Sequence, residues 1–181
     1  GWTAGQPLSQ AQLQTAGVTT TSGNDRTITT TYTALGRKST VVQSATTYYR
    51  ADGSAASGTP THAFAYNAFG DTVQESDLLE GTAGNADAVW ATTTRYYDAL
   101  GRNTLTVDAQ GYVTATAYNA TGEATETIEY ARALTGTLDP NTRPGLPAPG
   151  DATIGYDRIS RWTYDALGRK STETAVRQYR R

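Results

Sequence analysis

The chain has 181 residues, of which 37% are hydrophobic; it carries a formal charge of −2 at pH 7 and contains neither cysteine nor methionine. This excludes disulfides and thiolate metal sites. The mixing of acids with bases along the chain lacks the clustered Lys and Arg that phosphate backbones select, so no nucleic-acid partner is expected. No stretch approaches the ~18 continuous apolar residues of a membrane-spanning helix, and the abundance of Thr, Ala, Gly, Tyr, Asp and Asn reads as strands and turns around a thin core.

Residues 1–21 read as a lead-in. Ser9 and Gln12 are spaced as a capping box, which predicts a short helix ending at Gly17. No basic-then-apolar signal peptide opens the chain. The absence of Met, including at position 1, predicts a piece of a longer protein whose export signal, if any, lies elsewhere.

From residue 22 to 181 one phrase recurs: Tyr-Thr-Ala-Leu-Gly-Arg from Tyr32, Tyr-Asn-Ala-Phe-Gly-Asp from Tyr66, Tyr-Asp-Ala-Leu-Gly-Arg from Tyr97 and again from Tyr164, and Tyr-Asn-Ala-Thr-Gly-Glu from Tyr118. The phrase stays fixed while the intervals between copies vary, as expected of hairpin tips joined by loops that accept insertions. Each copy reads as a type I turn closed by a bulge. Asp98, Asp165, Asn119 or its equivalent caps the turn amides, and Gly36, Gly70, Gly101, Gly122 or Gly168 takes the left-handed position. The apolar tip residues Leu35, Phe69, Leu100 and Leu167 are expected to fold back onto the sheet.

The flanks alternate as strands, with His62, Phe64 and Tyr66 on one face, and likewise Tyr112, Thr114, Thr116 and Tyr118. After the turns come Asn103, Leu105 and Val107, or Glu126, Ile128 and Tyr130. Leu105, Tyr112, Tyr118 and Ile128 are expected to be more buried than Thr104, Val113 or Glu129. A second phrase around Asp108 and Gly111 joins one hairpin to the next, giving a meander from about Trp90 to Tyr130. Insertions fall near 51–61, 76–88 and 136–151: the first is Gly- and Ser-rich, the second has room for a short helical excursion, and the third carries four of the six prolines and cannot be a central strand.

These phrases resemble the YD repeat of the Rhs family, Tyr-Asp-x-x-Gly-Arg followed by a short strand and an Asp-x-x-Gly-x-x-Thr turn. The best matches are Tyr97 to Tyr118 and Trp162 to Thr172. The resemblance implies an all-β chain of antiparallel hairpins in a spiralling sheet or hollow shell, with short irregular or helical insertions. Relatives of this kind are the Rhs polymorphic toxins, the C components of insecticidal toxin complexes, and the teneurin barrels. In the bacterial members such a shell encloses a toxic segment. Thr33 in place of Asp, Asp71 and Glu123 in place of Arg, and Thr121 in place of an apolar tip depart from the pattern and are expected to weaken their turns.

Chemistry-bearing residues are sparse. The single histidine, His62, sits in an alternating strand and supports neither a triad nor a His-based metal cluster. Asp25, Asp52, Asp71, Asp77, Asp87 and Asp108 read as turn and loop caps. Asp139-Pro140 lacks the glycine of the Rhs self-cleavage run, and the sequon at Asn119 falls inside a repeat turn. No cofactor, metal or catalytic role is expected. The function implied is structural: part of the β-shell of a secreted or surface bacterial protein, in contact with adjacent repeats and an enclosed toxin segment, and prone to self-association through open strand edges. The alternative is a module whose aromatic side chains bind glycans or a cell surface.

Overall fold

The computed structural model describes residues 26–50, 52–149 and 157–177, and across them the chain is all β, without a helix. The capping-box helix expected before Gly17 lies outside the described residues. Ten strands form one antiparallel sheet in the order β1 (Ile28–Tyr32), β2 (Lys38–Gln43), β5 (Thr61–Tyr66), β6 (Thr72–Glu80), β7 (Val89–Tyr97), β8 (Asn103–Val107), β9 (Val113–Tyr118), β10 (Ala124–Glu129), β11 (Arg158–Tyr164) and β12 (Lys170–Arg177). A separate two-stranded hairpin, β3 (Thr46–Tyr49) with β4 (Ala55–Gly58), fills part of the first long connection. The sheet is open: β1 and β12 are its two ends.

A meander places alternate connections on opposite edges. The five copies of the repeated phrase make all the connections of one edge, between β1 and β2, β5 and β6, β7 and β8, β9 and β10, and β11 and β12. The other edge holds the unequal connections. The helical excursion expected within 76–88 is absent, because β6 continues through Glu80 and the rest is turn.

One regularity spans the sheet. At every junction between hairpins the eighth residue past one motif tyrosine lies opposite the third residue before the next: Thr40 faces Ala63, Gln74 faces Thr94, Leu105 faces Ala115, and Glu126 faces Arg161. The register is the same whether the connection is the tight turn at Asp108 or the long segment before β11. It is therefore set by the repeat and its bulges rather than by loop length.

Register also builds the core. Tyr96, Leu105, Ala115, Ile128 and Ile159 are successive cross-strand partners and make a transverse row over β7 to β11, flanked by the row Thr94, Val107 and Val113. Leu105 and Val107 are 0% exposed. The proline-rich segment after Tyr130 covers this face with Leu134, Leu138 and Leu146. It is pinned by the Leu134 amide donating to the Gly111 carbonyl at 2.9 Å and by the Tyr96 hydroxyl donating to the Asp139 carbonyl at 3.0 Å.

Two expectations are corrected here. Val113 is buried (2% exposed) and Tyr112 is 49% exposed, the reverse of the alternation read from sequence. The Asp108 turn takes Tyr112 as its closing residue, with the Asp108 amide donating to the Tyr112 carbonyl, so the strand begins one residue later and the parity flips. Leu35, Phe69, Leu100 and Leu167 do not fold back; they are between 73% and 85% exposed. The Asp98 carboxylate accepts the Leu100 amide, which holds that amide inward and leaves the side chain pointing off the apex.

Candidate functional site: a ladder of repeated turns

In each turn the first residue's carbonyl accepts the glycine amide and its own amide donates to the carbonyl of the fifth, as for Asp98 with Gly101 (3.0 Å) and Arg102 (3.0 Å). The five motif glycines have φ between 73° and 100°, the left-handed position that closes a type I turn with a bulge, and past each turn the register shifts once more, skipping the seventh residue after the motif tyrosine. Side chains complete the turn. Oδ1 of Asn67 accepts three amides, those of Phe69, Gly70 and Asp71, at 2.8 to 3.0 Å. Thr33, the one non-Asx residue at this position, accepts only the Arg37 amide at 3.2 Å.

Two of the departures from the repeat, Asp71 and Glu123, prove to belong to compensated pairs. Where the first residue is Asp the fifth is Arg, and the two form an ion pair: Arg102 with Asp98 at 2.7 Å and Arg169 with Asp165 at 2.8 Å. Where the first is Asn the fifth is an acid, and the amide donates instead: Asn67 Nδ2 to Asp71 at 2.9 Å and Asn119 Nδ2 to Glu123 at 2.5 Å. Asp71 and Glu123 therefore keep the contact with the partner's polarity reversed. The backbone amide of Arg102 holds the Asp98 carboxyl below the usual carboxylate range, and that of Arg169 does so for Asp165. Hydrogen bonds from Thr121 and Asn119 lower Glu123.

Three of the motif tyrosines also bond to the turn before their own. The Tyr97 hydroxyl donates to the Thr72 carbonyl (2.9 Å), Tyr118 to Asn103 (2.8 Å), and Tyr164 to Ala124 (2.7 Å). In all three the acceptor is the sixth residue past the preceding motif tyrosine. Arg102 lies over the Tyr118 ring at 4.9 Å and Arg37 over the Tyr66 ring at 5.5 Å, cation–π contacts from one turn to the next. Arg102 also donates to the Asn119 carbonyl at 2.9 Å. Sequence reading found the tyrosines but not this step of one repeat; its signal was the constant distance from tyrosine to the following strand.

The other sequence-derived candidates lie elsewhere. The connecting turn at Asp108 repeats the Asx cap, its Oδ1 accepting the amides of Gln110 and Tyr112 at 2.9 Å, with Gly111 at φ 89°. Asp77 is within β6 rather than in a turn, and His62 meets it and Glu75 across the β5–β6 pair. A groove of about 380 Å³ opens between Trp90, Gln74, Thr92 and Thr94 of the sheet, the Asp108 turn, and the covering segment from Leu134 to Leu138. Among the described residues no group of three or more His, Cys, Asp or Glu could hold a metal ion, and no helix is long and apolar enough to cross a membrane.

No protein-family model matches the chain, and no curated protein matches it in sequence. Among solved structures it is weakly similar to the crystal structure of TcdB2-TccC3, with 14% identity and a TM-score of 0.32 over 86% of this chain and 11% of that chain. The chain thus spans a small part of that protein's length.

Proposed function

We propose that the chain is a non-catalytic structural segment of a secreted or surface bacterial protein of the Rhs type: a stretch of β-wall around a toxin or other cargo, continued by adjacent hairpin repeats. The observation that carries this reading is the ladder, in which three successive turns each receive the hydroxyl of the next motif tyrosine and the register between hairpins is the same at all four junctions. Such an array gains its stability from neighbours, as repeat proteins do. The motif tyrosines Tyr97, Tyr118 and Tyr164 spend their hydroxyls on backbone carbonyls inside the ladder, which supports a structural over a ligand-stacking use.

The groove beside Trp90 favours a second reading, glycan binding. A glycan array followed by titration of any hit separates the two. A wall segment shows no saturable binding. Saturable binding abolished by Trp90→Ala, with the fold retained, would replace the wall reading by the binding module.

A further inference from the structure

Among the described residues the ladder ends on both sides with half a joint. At β12 the sixth residue past Tyr164 is Lys170, whose carbonyl stands where Thr72, Asn103 and Ala124 each receive a tyrosine hydroxyl. Beside it Arg169 occupies the position from which Arg102 covers Tyr118, with its side chain 74% exposed. At β1 the first motif tyrosine, Tyr32, is 61% exposed, and among the described residues no turn precedes it to seat its hydroxyl. Among the described residues no strand pairs with the outer side of β1 or β12, and the side chains of Lys170 to Ala175 are all exposed. In the meander β12 runs as β2 does and β1 runs opposite, so a β1 laid against β12 is antiparallel, like every other junction.

We propose that two copies of this chain join head to tail, β12 of one pairing with β1 of the next, with Tyr32 of the second copy seated on the Lys170 carbonyl under Arg169. This rests on the wall reading, a second copy of this chain taking the place that an adjacent hairpin repeat takes there. The invariant junction register fixes the alignment: Thr172, the eighth residue past Tyr164, falls opposite Thr29, the third before Tyr32. The same alignment sets Glu173 opposite Ile28 and diagonally across from Arg26, an opposite-charge neighbour of the kind that stabilises a sheet. The alternative β12-to-β12 two-fold pairing offers no tyrosine for either seat. A head-to-tail contact is heterologous, so it grows into open chains of copies rather than closing as a dimer.

The chain has no cysteine, so engineered cysteines report the joint without background. Thr29→Cys and Thr172→Cys lie at exposed positions. Mixed under mild oxidation, these two variants are expected to give a disulfide-linked dimer that neither gives alone, because directly opposed residues bring their Cβ atoms close to disulfide range. The double variant on one chain is expected to give a ladder of multimers. Thr30→Cys mixed with Thr172→Cys, one residue out of register and on the other face, is expected to give none, and Tyr32→Phe in the background of Thr29→Cys is expected to slow cross-linking several-fold. Equal cross-linking of Thr29 and Thr30 variants, dimers from Thr172→Cys alone, or no cross-linking at concentrations where sedimentation shows monomer only would each overturn the joint. Loss of the joint with no saturable glycan binding leaves the wall reading standing, with a partner other than a second copy; saturable glycan binding removes the wall reading itself.

Discussion

The two edges of the sheet solve the same problem in different ways. On the repeat edge, five similar turns, four of them with Asx caps, are held by polar pairs and tyrosine hydroxyls, while the four large apolar tips stand in solvent. On the other edge the connections differ in length and content, and there one of them builds a core, with Leu105, Val107 and Val113 beneath Leu134, Leu138 and Leu146. Repetition is kept where turns bond to one another; variation is allowed where a loop can add its own core. The register between hairpins belongs to the first edge and most of the burial to the second.

The sharpest contrast is between two leucines. Leu105→Ala removes a side chain at the centre of the core and is expected to cost about 2–5 kcal/mol, whereas Leu100→Ala, at a solvent-exposed tip, is expected to stay within about 0.5 kcal/mol. Urea denaturation of both variants checks this. A large effect at Leu100 would mean that the tips are covered in solution.

Glycines divide along the same line. A Cβ at Gly101 meets only open space and a distant Asp71 oxygen, so Gly101→Val is expected to cost roughly 1–2 kcal/mol from the left-handed backbone alone. At Gly111 a Cβ would also press on the Leu134 carbonyl of the covering segment. Gly111→Val is thus expected to cost more than Gly101→Val and to loosen the cover, raising proteolytic cleavage between Leu134 and Leu146. Equal costs at the two sites would show that the cover is not seated on the Asp108 turn.

Tyr118→Phe tests one rung. Losing the hydrogen bond to the Asn103 carbonyl is expected to cost about 0.5–1.5 kcal/mol, with the ring still under Arg102. No change in the denaturation midpoint would count against the hydroxyl ladder.

The smallest expected effect lies at His62, whose two ring nitrogens each face a carboxylate, Asp77 on one side and Glu75 at 3.2 Å on the other, with Arg95 bound to the far oxygen of Glu75 at 3.0 Å. Partial burial pulls the imidazole down, but the hydrogen bonds and charges of Asp77 and then Glu75 outweigh it and raise it above its ordinary 6.5. A raised value in the folded state stabilises fully below the unfolded value and is lost as pH rises through the folded one. Between pH 6 and 9 the wild-type midpoint is expected to fall relative to that of His62→Gln. Parallel pH profiles would contradict the ion-paired imidazolium.

How much was legible follows from what each signal depends on. The turns were readable because Asx, glycine and tyrosine at fixed spacing encode a local geometry, and the all-β class came with them. The buried row of Tyr96, Leu105, Ala115, Ile128 and Ile159 was half legible: Leu105 and Ile128 alternate as expected, but Tyr96 precedes the motif tyrosine, and it is the bulge at Thr104 that sets Leu105 opposite it. Tyr112 and Val113 were inverted because a bulged turn shifts the parity by one residue, which alternation alone does not register. The exposure of Leu100 and its equivalents depends on the direction of a side chain at the apex of a turn, and hydrophobicity is silent on that.

Native-state hydrogen exchange, read amide by amide, tests most directly the claim that this is an open sheet held from its middle by core and along one edge by rungs. Protection is expected to peak around Leu105, Val107, Val113 and Ile128 and to decline toward β1 and β12 in dilute solution, with Tyr118→Phe lowering it selectively in β8 to β10. Protection that is equally high in β1 and β12 at dilution would contradict the account, since it would show that both ends of the sheet are already closed within a single chain.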